Sequence, residues 1–247
     1  MRAAFEISDC RVTPGTRQAV NLPLPSLHSD TPVAMPVQVL HGRKNGPVLF
    51  VSAAIHGDEI NGIESIRRLL TLPSLRTLVG TLIAIPTVNI YGLNAHSRYL
   101  PDRRDLNRCF PGRDSGSLAA RLADLFIREI VARSDVGIDL HTAAIHRDNF
   151  AQIRADLNTA NLKHLAQRFE TPVILHSAPP EGSLRHAAAE LSVPVMVYEA
   201  GEALRFDEIS IRIAVRGIVN VMRELGMLPS SKRRRIKHPA LLRSSTW

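Results

Sequence analysis

The chain is short of the features that mark secreted and membrane-crossing proteins. Its 247 residues include two cysteines, Cys10 and Cys109, in no CxxC pair, which excludes a disulfide framework and points to a reducing compartment. No apolar run approaches the roughly 20 residues that a bilayer-crossing helix needs. The N-terminal MRAAFEISDC has no apolar stretch of the kind a secretory signal requires. A soluble, cytoplasmic protein is the expectation. No repeat and no internal domain boundary precede Pro229. The segment after it is short of acids: Lys232, Arg233, Arg234, Arg235, Lys237 and Arg243 carry six of the net +8 charges and leave +2 for everything before. Such a tail can bind phosphate backbones by counterion release. A run of this kind is ordinarily a solvated segment, so nucleic acid is not the expected partner.

What is present is a 45% hydrophobic composition, ample for one α/β core over residues 1–228. The first 47 residues hold RQAVNLPLP and MPVQVLHG, short β-rich runs expected as a hairpin of edge strands, with His28 and His41 as turn or surface histidines. Val48 to Ile55 is an uncharged strand followed directly by His56, Asp58 and Glu59. A helical stripe of Ile60, Ile63, Ile66, Arg67 and Leu70 comes next. Leu78 to Val88 reads as a second buried strand. Asn89 to Ser117 is then a polar loop of about 29 residues, dense in Arg and Asn, and loops of that length in a compact domain usually serve function. Ser117 is placed to cap a helix with Leu118, Leu122, Leu125, Phe126 and Ile130 on its apolar face. Val136 to Leu140 is a strand running into His141. Shorter strands at Phe150 to Ile153 and Val173 to Leu175 alternate with helices at Asn158 to Phe169 and Ser183 to Leu191. VPVMVY then runs into Glu199, and Asp207 caps a last helix to about Leu225. This alternation predicts a mainly parallel, mixed central sheet with helices on both faces.

Three apolar strands thus run into His56 with Glu59, into His141 and into Glu199, and a parallel sheet gathers such ends along one rim. Catalytic zinc takes three protein ligands of His and carboxylate type and keeps a fourth position for water or substrate. His56, Glu59 and His141 make such a set: two ligands three apart, and a third 82 residues further on that ties them to the fold. Asp139, two residues before His141, shares its face on a strand and is placed to orient it. Glu199 is left to take a proton from water and return it to a leaving nitrogen. Asn107 and Arg108, with Arg98 and Arg103 upstream, offer the forks that bind a carboxylate or polarise a carbonyl.

HGDEINGIES, RYLPDRRDLNRCFPG, DLHTA and VYEAGE, in this order, closely resemble the succinylglutamate desuccinylase and aspartoacylase family, a branch of the zinc carboxypeptidase superfamily. The resemblance covers about Val48 to Leu225. It implies a carboxypeptidase-like (phosphorylase/hydrolase-like) fold and one zinc per chain on His56, Glu59 and His141, with Glu199 as general base. It assigns Arg98 to carbonyl polarisation, with Arg103 as the alternative, and Asn107 with Arg108 to the substrate carboxylate. Asp105 is implied to hold His56, and Arg185 to meet the acyl or side-chain end of the substrate. Family members generally carry a further β-rich domain that can donate a Tyr to the substrate. Residues 229–247 are therefore expected as either a basic tail or the opening of that domain.

The reading that follows is a zinc-dependent amidohydrolase that deacylates an N-acyl amino acid or similar small carboxylate. A carboxypeptidase-like peptidase uses the same residues and stands as the alternative. A non-catalytic metal- or ligand-binding domain is the rival from another class. The sequence leaves the acyl group, the amino acid and the oligomeric state open, a homo-oligomer included.

Overall fold

Alternation in the apolar run after Val48 divides its side chains between two cores. Leu49, Val51 and Ala53 enter one, and Phe50 enters the other with Val48 packed against it, as a period of two demands of a strand covered on both faces. The computed structural model describes residues 2–26, 30–159, 161–230 and 239–243. The first six residues of the run lie in β5 (Lys44–Ala53), next to the middle strand of a nine-stranded mixed sheet. Four parallel strands form the middle: β10 (Val195–Glu202), β7 (Val136–Ala143), β5 and β6 (Val79–Ile85). On one side β4 (Val33–His41) and β3 (Thr16–Leu24) add as the expected hairpin at the edge. On the other side β8 (Asn149–Ala155) runs antiparallel to β10, and β9 (Val173–His176) and β11 (Ala240–Leu242) follow β8 in parallel. A separate ribbon of β1 (Phe5–Ile7) and β2 (Cys10–Val12) packs its Ile7 and Val12 into the second core.

The first core lies under α1 (Asn61–Leu69), α4 (Leu162–Phe169) and α6 (Glu208–Glu224). The second lies under α2 (Ile90–Asn94), α3 (Leu118–Glu129) and α5 (Leu184–Glu190). In the second, Phe50 meets Phe126 edge-on at 5.9 Å between ring centroids, and both are fully buried. Burying one such side chain contributes about 1.5–3 kcal/mol. The helix starts follow the sequence reading: Ser117 Oγ accepts from Ala120 N–H, and the Asp207 carboxylate accepts from Ile209 and Ser210 N–H.

Three expectations are corrected. The inward face of α1 is Asn61, Gly62, Ser65, Ile66 and Leu69, while Ile60 and Ile63 are half-buried. Small residues are needed there because the helix lies close on the sheet: a Cβ on Gly62 would sit 2.6 Å from that of Ala53. His141 and Glu199 lie inside β7 and β10 rather than beyond their ends. His41 is buried rather than at the surface, its ring nitrogens meeting Thr81 Oγ1 at 2.8 Å and Ala3 O at 2.9 Å. His28, Lys232, Arg233, Arg234, Arg235 and Lys237 lie outside the described residues. Among the described residues no helix is long and apolar enough to cross a membrane.

Candidate metal and catalytic site

Ala53 ends β5, and Ala54 adopts a left-handed backbone with φ 52°, which turns the chain out of the sheet. Such a conformation costs about 1 kcal/mol or more in a residue with a Cβ. It is held by Val88 N–H on Ala53 O at 3.0 Å and Asn89 N–H on Ala54 O at 2.9 Å. Gly57 then passes so close to α2 that a Cβ would lie 2.0 Å from the carbonyl carbon of Gly92. Glu59 N–H closes the turn on His56 O at 3.1 Å, and the HxxE spacing becomes a pair of adjacent side chains.

His56 Nδ1 lies 2.7 Å from Glu59 Oε1, and His141 Nδ1 lies 2.8 Å from Glu59 Oε2. The far nitrogens are taken: His56 Nε2 donates to Asp105 Oδ1 at 3.1 Å and His141 Nε2 to Asp139 Oδ2 at 2.6 Å. Asp139 is fixed in turn by the Ser52 hydroxyl at 2.8 Å, and Glu59 Oε2 by Thr142 N–H at 3.1 Å. One donor atom from each of His56, Glu59 and His141 lies within 4.8 Å of the others. All three residues are buried.

Burial opposes charge here, yet the partners outweigh it. It would depress both imidazoles, but Glu59 and Asp105 raise His56, and Asp139 and Glu59 raise His141 well above its ordinary value. Burial would likewise raise Glu59 and Asp105, but the imidazoles hold Glu59 well below the carboxylate range, and His56 with Arg98 does the same for Asp105. These residues fit a divalent metal. An aspartate behind each imidazole takes the N–H, so that Nδ1 is left to bind, and neutral imidazoles leave the three negative charges of Glu59, Asp105 and Asp139 for Arg98 and a dication to balance.

Glu199 stands opposite His141 in the β7–β10 ladder and shares its face. Burial pushes its carboxyl up, only partly offset by His141 and Arg154. Asn149 Nδ2 donates to its Oε2 at 2.6 Å, and Arg154 Nε lies 3.6 Å from its Oε1. Arg98 reaches over the same point: Nη2 donates to Asp105 Oδ2 at 2.9 Å, and Nη1 lies 3.2 Å from His56 Nδ1 and 3.4 Å from Glu59 Oε1.

These residues open into a cavity of about 400 Å³, which Asn107, Arg108, Arg147 and Arg185 also line. Asn107 Oδ1 accepts from Leu184 N–H at 2.9 Å, so what it can offer a ligand is its amide donors. Arg108 is exposed and anchored by Nη1 on Asn107 O at 2.7 Å. Arg185, 9% exposed, spends Nη1 and Nη2 on Ser177 O, Ser177 Oγ and Ala178 O. Arg103 is not brought to the site: it is exposed, has φ 61° and does not line the cavity. A larger depression of about 740 Å³ lies at the opposite end of β5 and β6, and among its lining residues there is no carboxylate. Convergent polar groups, rather than volume, mark the site.

The residues that sequence reasoning passed over are Asn149, Arg154 and Arg147. In NFAQIRA, Gln152 and Arg154 alternate with apolar residues, which was a readable sign, while Asn149 falls out of that phase. That β8 lies beside β10 was not.

A model of the succinylglutamate desuccinylase/aspartoacylase catalytic domain matches residues 45–225. The N-alpha-acetyl-L-2,4-diaminobutyric acid deacetylase of Halomonas elongata is 37% identical over 111 residues, 44% of this chain and 32% of that protein. The succinylglutamate desuccinylase of Photorhabdus laumondii is 27% identical over 191 residues, 70% of this chain and 58% of that protein. The chain thus spans about a third and somewhat over half the length of these two relatives. The crystal structure of a succinylglutamate desuccinylase/aspartoacylase from Rhodobacter sphaeroides superposes with a TM-score of 0.81 at 26% identity, over 91% of this chain and 70% of that one.

Proposed function

The chain belongs to the succinylglutamate desuccinylase/aspartoacylase family, and from that premise we propose that it is a zinc-dependent amidohydrolase which removes an acyl group from the nitrogen of an amino acid or similar small carboxylate. The observation that carries this reading is the double orientation of the imidazoles. His56 and His141 both turn Nδ1 to Glu59 while an aspartate holds each Nε2. Such backing is what a metal ligand needs and what a merely buried histidine does not.

His56, Glu59 and His141 would hold the zinc, and when bound it supplies a Lewis acid for the scissile carbonyl and for water. Glu199 accepts the proton of the attacking water on a carboxylate oxygen and returns it to the leaving nitrogen. Its raised pKa brings it nearer the operating pH, where such a shuttle works best. Arg98, anchored through Nη2 on Asp105, offers Nη1 to the oxygen on which charge develops. Arg108 and the amide donors of Asn107 receive the substrate carboxylate. Arg185, with both terminal nitrogens committed to the 177–178 segment, contributes positive charge at the acyl end rather than a free fork. A cavity of about 400 Å³ has room for one acylated amino acid.

The test is hydrolysis by zinc-loaded protein of a panel of N-acetyl and N-succinyl amino acids against dipeptides of the same residues. Turnover of the acyl series well above the dipeptides is expected. Dipeptide turnover equal to or above it would make the protein a peptidase, and turnover of neither, by folded and zinc-loaded protein, would make it a binding domain.

A further inference from the structure

We propose that Asn149, together with Arg154, is a positioning residue that fixes the carboxylate of Glu199 for proton transfer. The inference rests on the deacylase reading and gives a role to a strand that this reading leaves without one.

Antiparallel pairing sets Val197 opposite Arg154 and Glu199 opposite Gln152, so Arg154 shares the face of Glu199. Were the register unbroken, Gly201 would meet Phe150, and Asn149 would fall on the other face with the buried Ala151 and Ile153. Instead Gly201 stands opposite Asn149, which means that β8 carries one extra residue between Gln152 and Asn149. Such a bulge reverses the alternation and re-aims a side chain. Here it leaves Phe150 69% exposed and brings Asn149 round to Glu199. Gly201, at φ 77°, takes the left-handed backbone on the facing strand.

The consequence is that each oxygen of Glu199 has its own neighbour. Asn149 Nδ2 donates to Oε2 at 2.6 Å, while Arg154 Nε, 3.6 Å from Oε1, is beyond hydrogen-bond reach and acts through charge. A neutral amide donor fixes the carboxylate plane without surrendering a proton to it. The Glu199 side chain is 17% exposed, so little water competes for these contacts. A general base on a long side chain otherwise samples several rotamers, and holding one of them is a large part of what positioning contributes to rate.

The experiment compares Asn149→Ala and Asn149→Asp in the zinc-loaded full chain, with N-acetyl-L-glutamate and N-succinyl-L-glutamate as probes. Asn149→Ala should lower kcat by about 10-fold, the scale of losing an orienting partner, with KM and zinc content unchanged. Asn149→Asp, which keeps the shape but turns a donor into a like charge, should lose more. A purely structural role would reverse that order. In a Glu199→Gln background Asn149→Ala should cost nothing further. An equal loss in that background, or full kcat in Asn149→Ala, overturns the proposal. Crystal structures decide independently of turnover: Glu199 should keep its hydrogen bond to Asn149 in the wild type and leave that position in Asn149→Ala. A carboxylate that stays in place in the variant overturns the proposal whatever the protein hydrolyses. If wild type hydrolyses no member of the N-acyl amino acid panel and yet the carboxylate moves, the deacylase reading fails while the positioning contact is upheld.

Discussion

Replacing Asp139 separates the charge behind the proposed metal ligand His141 from the geometry behind it. Asp139 is 1% exposed, takes the Nε2 proton of His141 at 2.6 Å and accepts from the Ser52 hydroxyl at 2.8 Å. Asp139→Asn keeps the volume and one acceptor oxygen. The amide oxygen can still take the imidazole proton, and the Ser52 hydroxyl can reverse and accept from the new N–H. Only the negative charge is lost. Zinc affinity should therefore fall by about 10-fold, the lower end for removing a partner behind a metal-binding histidine. That corresponds to about 1.4 kcal/mol. Asp139→Ala also removes the acceptor and leaves a buried N–H unpaired, and about 100-fold is expected. The assay is competition for zinc against a chromogenic chelator at fixed pH, with thermal unfolding in chelator to report on the metal-free fold. Affinities of both variants equal to wild type would refute the reasoning. So would a larger loss in Asp139→Asn than in Asp139→Ala, because charge and orientation would then not be additive parts of one contact.

The remaining predictions test other parts of the site and one structural ion cluster. Glu199→Gln keeps the shape but cannot take the proton, so zinc content should stay near wild type in metal analysis while kcat falls by roughly 100-fold or more; loss of zinc would make Glu199 a ligand. Arg108→Ala should raise KM more than it lowers kcat, and Arg98→Ala the reverse, since only a contact to the developing oxyanion strengthens at the transition state; equal effects on KM alone, in steady-state kinetics, would contradict the assignment. Glu64, bridged to Arg67 and Arg68 on α1, has its carboxyl lowered to about 2, chiefly by hydrogen bonds from those two guanidinium groups. Because the folded value is depressed, its contribution is complete above the ordinary carboxylate pKa and is lost as pH falls toward 2. Solvent screening keeps it within about 1 kcal/mol. Glu64→Gln should thus be slightly destabilised near pH 7 in urea unfolding and indistinguishable from wild type near pH 2.

Much of the fold was legible because its signals are local. The uncharged run at Val48, the caps Ser117 and Asp207 and the strand before His141 each follow from short-range chemistry. That His56 and Glu59 lie side by side was legible too, since HxxE after a buried strand places two donors on one turn. What escaped depends on contacts between segments far apart in the chain. The inward face of α1 reads as polar and small because the helix lies against Ala53 and Leu140, which no helical periodicity reveals. Arg98 and Arg103 are equivalent in sequence and are separated only by the path of the loop, which leaves Arg103 exposed. Asn149 reaches Glu199 through a bulge, and although Phe150-Ala151 breaks the alternation of NFAQIRA, that break does not say which distant side chain Asn149 will meet.

The central claim is that His56, Glu59 and His141 form one metal site, and calorimetric titration of chelator-treated protein with zinc tests it most directly. Wild type should take up about one zinc per chain, and folded His141→Ala and His56→Ala should each lose that uptake, because a site with three protein ligands weakens steeply when one is removed. Folded wild type that binds no zinc, or variants that bind it as wild type does, would contradict the account.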